Sequence, residues 1–501
     1  MEHNNCLKIL ISNGITALLV LSVSVLLIMI GHDKNNYQYV LCGVMLFWAY
    51  GMIYGMLDLG RLYGYTIMNF MLFVFFLSRP TLASFYEVGW TAWNDGIVEK
   101  ALILIFSSEV ALFLGSKLIK PTSRPDSLQI KKTPNYNETV QTALLIIVIV
   151  TSVFSAYSTL KNYSYYSGLN YEAIYVSGGP QDNAIIRASV TLFPYAAFAY
   201  LATMPSKKKA LTILSIYVLL GVPMFLLGNR ASLVLRIAFA VSYFFIRDYT
   251  ADNNGEVWIK RSTKIVFVVF VLVSISFLGA FNYYRAGKNP SSEASMPIML
   301  DFFYKQGTTF DTVCQGLQYK PMIAEIPHIV PYSIGTIYDT VVHSTLSQMI
   351  FGTSSLGSGN SMNMVMNSNS LAHKLSYIVL GDISYLSGHG RGSSYIIELY
   401  YDGGFLLVTA FSLVLGLYLA NINRIIQQGK WFINTIVIST LPRVFYIPRS
   451  STLDFIAFLF TPHFWLIIVI AIIALFFSES KDSFKRDLRT LMAKEKVGQA
   501  G

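Results

Sequence analysis

The sequence has few charged residues and few cysteines, and each shortage excludes a class of protein. Asp, Glu, Lys and Arg together make up 13% of the 501 residues, whereas a soluble domain carries roughly a quarter. A single soluble core is therefore excluded. The three cysteines, at positions 6, 42 and 314, are scattered and indicate neither a disulfide framework nor a zinc site.

Motifs for nucleotide and metal chemistry are missing as well. The sequence has no Walker loop, no dinucleotide fingerprint and no nucleophile elbow in a credible context. His343, His373 and His389 form no metal-ligand spacing with one another. The sequence therefore gives no sign of a metal site or a cofactor, and cytoplasmic ATP chemistry is not expected.

Long apolar runs are what the sequence has in abundance. Hydrophobic residues make up 54% of the chain, and the mean hydropathy is +0.51. Crossing the hydrocarbon core of a membrane takes ~17–25 mainly apolar residues, and the runs predict about twelve membrane-spanning helices. These are residues 9–30, 39–57, 65–76, 101–116, 140–159, 188–204, 211–227, 231–246, 265–281, 405–420, 432–445 and 455–477. The third and the eleventh are short.

The basic residues predict how these helices are oriented. Lys and Arg collect in short cytoplasmic loops, and every strong basic cluster falls on one side if the N-terminus is cytoplasmic. The sequence thus predicts an all-α polytopic membrane protein with both termini in the cytoplasm, and the net charge of +10 reflects this topology. The predicted parts are residues 1–281 with helices one to nine, an outer loop 282–395, helices ten to twelve in 396–477, and a basic cytoplasmic tail 478–501.

The outer loop, residues 282–395, is long enough to fold by itself. Met299, Phe303 and Phe310 begin a series of apolar residues at helical spacing. We therefore expect amphipathic helices that lie on the membrane face. Residues 352–370 are rich in Gly, Ser, Asn and Met and lack apolar periodicity, which predicts a mobile cover over the functional site.

Five arginines fall on the predicted outer side, against the bias that places basic residues in the cytoplasm. They are Arg230 in LLGNRASLVL, Arg285 after the ninth span, Arg391 in SGHGRGSS, and Arg443 and Arg449 in LPRVFYIPRSS. A guanidinium group matches two phosphate oxygens, and its charge is fixed. Together these residues predict a surface that binds an anion such as a diphosphate.

Simpler explanations stay open for these arginines. A lone arginine at a membrane interface commonly extends to the lipid headgroups. Arg449 could also pair with Asp454. Arg391 could pair with Glu398 or Asp402, which share one face of the chain if their segment is helical.

The order of these features resembles the Wzy-type O-antigen polymerases of bacteria, which join oligosaccharide repeat units. The shared features are about twelve spans, LLGNRASLVL closing an outer hairpin, a large outer loop after the ninth span, GRGSSYIIELYYDGG before the tenth, and PRVFYIPRS near the end. The resemblance covers most of the chain. It rests on the order and topology of the motifs, because each motif is short.

The resemblance implies a glycosyltransferase with a GT-C-like fold at the outer face of the bacterial cytoplasmic (inner) membrane. Such an enzyme would transfer a growing glycan from undecaprenyl diphosphate to the sugar terminus of a newly flipped lipid-linked unit. It would need neither a metal ion nor a nucleotide sugar. Its partners would be undecaprenyl-diphosphate-linked glycans, membrane lipids and potentially a chain-length regulator protein, but no nucleic acid.

The resemblance also suggests roles for the arginines. Arg230 and Arg285 would hold a diphosphate and stabilise the charge that develops as the glycosidic bond breaks. Arg391, Arg443 and Arg449 would hold the second diphosphate or assist at the first.

Deprotonating the acceptor hydroxyl requires a base, and the candidates are His389, Asp382 and Glu398. Two alternative functions remain at this stage. One is the related O-antigen ligase, which attaches finished glycan to the lipid A core. The other is a flippase or transporter for lipid-linked glycans that performs no chemistry.

Overall fold

The structure, a computed structural model, describes residues 14–88, 93–118, 138–169, 179–250, 257–260, 276–277, 279–280, 283, 296–357 and 359–477. Within these ranges the chain forms helices and connecting turns, and no strand occurs. The membrane helices are α1 Gly14–Asp33, α2 Tyr37–Leu57, α3 Leu59–Tyr86, α4 Asp95–Lys117, α5 Glu138–Tyr166, α6 Ala184–Ala202, α7 Lys207–Leu226 and α8 Arg230–Thr250. Next come α9 Ile298–Gln306, α10 Thr308–Gln318, α11 Lys320–Ala324, α12 Tyr332–Val342, α13 Thr345–Phe351, α14 Met362–Asn367 and α15 Leu371–Leu386. The last three are α16 Tyr395–Gln428, α17 Trp431–Val444 and α18 Pro462–Phe477.

Seven helices of the described chain are long and apolar enough to cross a membrane, namely α1, α2, α3, α5, α6, α7 and α16. All seven coincide with predicted spans. Helices α4 and α8 lie at the fourth and eighth predicted spans but carry more charged residues, and α17 and α18 are shorter. The ninth predicted span lies largely outside the described residues. The chain is therefore an all-helical, polytopic membrane protein, and the count of twelve spans stays a prediction.

The third span is longer than the sequence indicates. Its apolar run, residues 65–76, is bounded by Arg61 and Arg79, yet the helix continues past both, with a π-helical turn at Phe73–Leu77. The arginines are tolerated because each has a carboxylate partner. Arg61 Nε lies 2.9 Å from an oxygen of Asp58, and Arg79 is paired with an acid in α10.

Helices α4 and α16 cross in backbone contact through two glycines. A Cβ atom on Gly416 would lie 2.0 Å from the carbonyl oxygen of Leu112, and one on Gly115 would lie 2.0 Å from that of Leu413. Both distances are shorter than any side chain could tolerate. This crossing fixes α16, whose first residues belong to the site described below.

We therefore expect Gly416→Ala to reduce the amount of folded protein in the membrane, because the added methyl group must push α4 away from α16. Gly60→Ala is the matched control, since a Cβ atom there meets nothing within 4 Å. Quantitative immunoblotting of membrane fractions measures the effect. Equal membrane levels of the two variants would show that α4 and α16 can move apart without loss of folded protein.

Contacts at one end of the helix bundle join segments that the charge pattern assigns to a single side. Asn423 Nδ2 donates to the carbonyl oxygen of Gly60 at 2.9 Å, and Arg247 Nη1 donates to that of Pro205 at 3.0 Å. Each contact links residues far apart in the sequence. These contacts bring the loops of each pair together, and the sidedness of the loops stays a prediction.

The helices predicted in the large loop exist, but they are packed differently than expected. Phe310 and Val313 of α10 are fully buried in the main hydrophobic core of the bundle, together with residues of α4 and α16. The expectation that this segment lies on the membrane face is therefore wrong for α10. The spacing of its apolar residues predicts a helix with one buried face. Only the tertiary packing reveals that this face lies against the helix bundle and not against the membrane.

The expectation of a mobile cover is also wrong for the second half of residues 352–370, which packs against its neighbours. These residues include α14, in which Val365 is fully buried. Asn369 is 2% exposed, and its Oδ1 accepts the backbone N–H of Ile329 at 2.9 Å. The segment is held by side-chain amides rather than by apolar residues, so the hydropathy pattern could not reveal it.

Candidate functional site

Three arginines from distant parts of the sequence lie against the end of α9 and the first turns of α10. Arg449 Nη1 donates to the carbonyl oxygen of Gln306 at 3.3 Å. Arg79 packs directly against Gly307, where a Cβ atom would lie 2.6 Å from that of Arg79. The hydroxyl of Thr312 donates to the carbonyl oxygen of Arg391 at 3.1 Å. We refer to Arg79, Arg391 and Arg449 as the arginine cluster.

Arg79 is the member of the arginine cluster that sequence reasoning missed. Its Nε lies 3.0 Å from Asp311 Oδ2, and its guanidinium carbon lies 4.6 Å from the centre of the Tyr304 ring. The other oxygen of Asp311 accepts the indole N–H of Trp93 at 3.3 Å. Arg79 was not among the five arginines singled out from the sequence, although the predicted topology also puts residue 79, after the third span, on the outer side.

The glycine-rich segment before α16 holds the backbone of Arg391. Gly388 and Gly392 have φ of +92° and +79°, left-handed values that glycine adopts without strain. The N–H of Arg391 donates to Ser376 Oγ at 2.9 Å. Because Thr312 binds its carbonyl oxygen, the main chain at this arginine is fixed from both sides. Its side chain is exposed, and within the described ranges it forms no ion pair.

Arg443 lies in the last turn of α17 and Arg449 in the turn that follows, and their partners show that one predicted alternative is wrong. Asp454 pairs with Arg443, whose Nη1 lies 2.8 Å from Asp454 Oδ1, and not with Arg449. Arg449 instead reaches the carbonyl oxygen of Gln306, and its guanidinium carbon lies 5.9 Å from the Phe75 ring of α3. It is thereby directed into the arginine cluster.

Glu398 joins the glycine-rich segment to this same turn. Ser393 Oγ donates to Glu398 Oε1 at 2.8 Å, and the N–H and hydroxyl of Thr452 donate to Oε2 at 2.8 and 2.9 Å. The carboxylate is 1% exposed. With three donors in place, Glu398 connects the segments that carry Arg391 and Arg449. The alternative that Glu398 pairs with Arg391 is therefore wrong.

Asp402 is likewise not a partner of Arg391. Its two oxygens accept the N–H groups of Tyr332 and Ser333 at 2.8 and 2.7 Å. These are the first N–H groups of α12, which have no acceptor within their own helix. Asp402 thus caps α12 from a neighbouring element and docks it against α16.

The turn before α8 places Arg230 at the first position of that helix. Gly228 has φ of +98°, and Asn229 Oδ1 accepts the N–H of Ser232 at 3.3 Å. The backbone at the start of α8 is thus fixed by the turn.

The same turn lies at the end of the bundle that carries the arginine cluster. Phe225 of α7 and Leu233 of α8, on either side of the turn, pack in one apolar group with Phe302 of α9. The side chain of Arg230 and all of Arg285 lie outside the described residues, so their predicted roles stay predictions.

The other two candidate bases are less well placed than Glu398. His389 lies in the glycine-rich loop near Arg391, and its backbone carbonyl accepts from Asn360 Nδ2 at 2.7 Å while its side chain is exposed. Asp382 is exposed on α15 and interacts with the Tyr377 hydroxyl. The structure gives neither side chain a contact with the arginine cluster.

Positive charge exceeds negative charge at this site. The arginine cluster and Arg443 supply four guanidinium groups, and the facing carboxylates are Asp311 and Asp454. Even if Glu398 is counted as ionised, one positive charge remains uncompensated. Such an excess, carried by guanidinium groups on fixed backbone, is suited to binding a phosphate-bearing group.

Comparisons with known proteins give one result. A family model described as O-antigen polysaccharide polymerase Wzy matches residues 14–481, which is nearly the whole chain. Searches of curated proteins and of solved structures find no match. The matched range includes the arginine cluster and all the helices described above. The chain therefore belongs to the Wzy family of O-antigen polysaccharide polymerases, and it joins repeat units into O-antigen.

Proposed function

We propose that this polymerase takes its growing glycan from a lipid diphosphate, of the undecaprenyl diphosphate type, and that the arginine cluster binds the diphosphate. The observation that carries the proposal is that Arg79, Arg391 and Arg449 lie together around the end of α9 and the first turns of α10, where Arg79 and Arg391 both act on Asp311. Arg443, in the last turn of α17, lies close to Arg449 in the sequence and adds a further positive charge. Arg230 and Arg285 are proposed to hold the same or the second lipid diphosphate.

The chemistry follows from where negative charge develops. When the bond between the anomeric carbon and the diphosphate breaks, the diphosphate oxygen gains a full charge. Guanidinium groups already held in position stabilise that charge without reorganising at the moment of reaction. Because these groups are permanently positive, the proposed reaction needs no metal ion. It needs no nucleotide sugar because the lipid diphosphate itself carries the donor glycan.

The proposal places this site on the outer side of the cytoplasmic membrane, in a GT-C-like arrangement with twelve spans and cytoplasmic termini. The support is that the basic loops 207–209 and 247–264 are predicted to lie on the opposite side. A cysteine introduced at position 208 is expected to react with an impermeant thiol reagent only after permeabilisation. Labelling in intact cells would reverse the proposed orientation.

Reconstitution tests the proposed donor. The purified protein in lipid nanodiscs is given undecaprenyl-diphosphate-linked repeat units in the presence of a chelator, and the products are separated as a ladder on a gel. We expect polymer to form with the diphosphate donor but not with a monophosphate-linked analogue. A requirement for a divalent cation or a nucleotide sugar would contradict the proposal.

Replacement of Arg230 by lysine tests its proposed contact with phosphate. Lysine keeps the charge but loses the two-pronged geometry, so one charge-assisted hydrogen bond, worth ~1.5–3 kcal/mol, is lost. We expect Arg230→Lys to lower polymer yield by about tenfold or more at a normal protein level. A wild-type ladder would instead indicate a residue that merely extends to the lipid headgroups, since lysine does so equally well.

A further inference from the structure

We propose that Asp311 is the general base that deprotonates the acceptor hydroxyl during polymerisation. This inference rests on the proposed lipid diphosphate donor. Asp311 belongs to α10, and its carboxylate lies beside the arginine cluster, with Oδ2 3.0 Å from Arg79 Nε.

The other carboxylates at this end of the bundle are already committed to fixed partners. Glu398 accepts three hydrogen bonds and is 1% exposed. Asp454 holds Arg443 and the hydroxyl of Ser450. Asp402 caps α12, as described above. In each case these contacts hold a helix or turn in place, whereas the contacts of Asp311 are with Arg79 of the arginine cluster and with the Trp93 indole.

Asp311 differs from Glu398, which is 1% exposed, in its access, and from Asp402 and Asp454 in its neighbours. Its side chain is 16% exposed, so a hydroxyl group can reach it. The charged groups that act on it are Arg79 from α3 and Arg391 from the glycine-rich loop, both of the arginine cluster. Because the cluster binds the donor diphosphate, Asp311 lies where the acceptor must approach the anomeric carbon.

The environment of Asp311 also supports proton transfer. Burial raises the pKa of its carboxyl, while Arg79, the hydrogen bond from Trp93 and Arg391 act in the opposite direction. A diphosphate bound at the cluster brings negative charge close to the carboxylate. A nearby like charge raises the pKa of a carboxyl further, so donor binding itself would make Asp311 a stronger base.

The proposed step balances in atoms and charge. The proton of the acceptor hydroxyl moves to Asp311 as the acceptor oxygen forms a bond to the anomeric carbon of the donor glycan. The bond from that carbon to the diphosphate oxygen breaks, and its electron pair stays on the diphosphate. Asp311 then releases the proton to water, and the lipid diphosphate leaves.

The test separates donor binding from turnover. Affinity for undecaprenyl diphosphate and the single-turnover rate with saturating lipid-linked repeat units are measured for the wild type, Asp311→Asn and Asp311→Glu in nanodiscs. General base catalysis contributes about 10²–10⁴-fold, so Asp311→Asn should slow turnover by about a hundredfold or more. Its affinity for undecaprenyl diphosphate should stay equal or increase, because a like charge has been removed.

Asp311→Glu keeps a carboxylate and should recover part of the turnover rate that Asp311→Asn loses. Asp33→Asn removes an exposed carboxylate at the end of α1 and should match the wild type. If Asp311 merely positions Arg79, its loss will weaken binding of undecaprenyl diphosphate, and that result overturns the proposal. Undiminished turnover in Asp311→Asn overturns it as well. If the wild type does not use the diphosphate donor, the proposed function fails, and this assignment falls with it.

Discussion

Arg391→Ala is expected to lower the rate of polymerisation by about a hundred- to a thousandfold while the protein remains at its normal level in the membrane. Removing one preorganised group that stabilises a developing negative charge costs about 2.7–4 kcal/mol. The backbone of Arg391 is already fixed by Ser376 and Thr312, so its side chain can be lost without loosening the loop. Its guanidinium group forms no ion pair in the described chain, and it is therefore available for substrate.

Arg391→Lys should be nearly as impaired as the alanine variant, because a point charge cannot bind two oxygens of one phosphate at once. Arg424→Ala, near the C-terminal end of α16 and far from the loop of Arg391, is the control for loss of a positive charge. Glycan ladders and membrane protein levels are compared across the set. Full activity of the lysine variant would mean that Arg391 contributes only its positive charge and no two-pronged contact with phosphate.

Replacement of Glu398 should distinguish a residue that positions the site from a residue that takes a proton. Glu398→Ala removes the acceptor for three donors on Ser393 and Thr452. Each buried donor left unpaired costs about 1–3 kcal/mol. The segments that carry Arg391 and Arg449 would then separate, and we expect activity to fall by about a hundredfold or more.

Glu398→Gln should retain activity within about tenfold of the wild type. The glutamine oxygen can accept from the N–H and hydroxyl of Thr452, and its amide can donate to the Ser393 hydroxyl, so each hydrogen bond has a counterpart. If Glu398 were the general base, glutamine would be as inactive as alanine. Initial rates and membrane protein levels of the two variants decide between these roles.

The sequence alone was sufficient to predict an all-helical membrane protein and its family. Apolar runs must reach a minimum length to cross a membrane, and charged residues cannot lie in lipid unpaired, so hydropathy and charge determine where most spans occur. The helices at Gly14–Asp33, Tyr37–Leu57 and Glu138–Tyr166 overlap the predicted spans closely. Short motifs such as GRGSS marked the loop of Arg391, because glycine is required where φ is positive.

Tertiary structure alone decided which charged residues are paired and which are available. Arg449 and Asp454 are close in sequence, yet Asp454 pairs with Arg443, because the turn directs Arg449 toward Gln306. Arg79 and Asp311 are far apart in the chain and meet only because α10 packs against the end of α3. Hydropathy and charge patterns depend on neighbours along the chain, whereas ion pairs depend on distances of a few ångströms that the packing of distant helices sets.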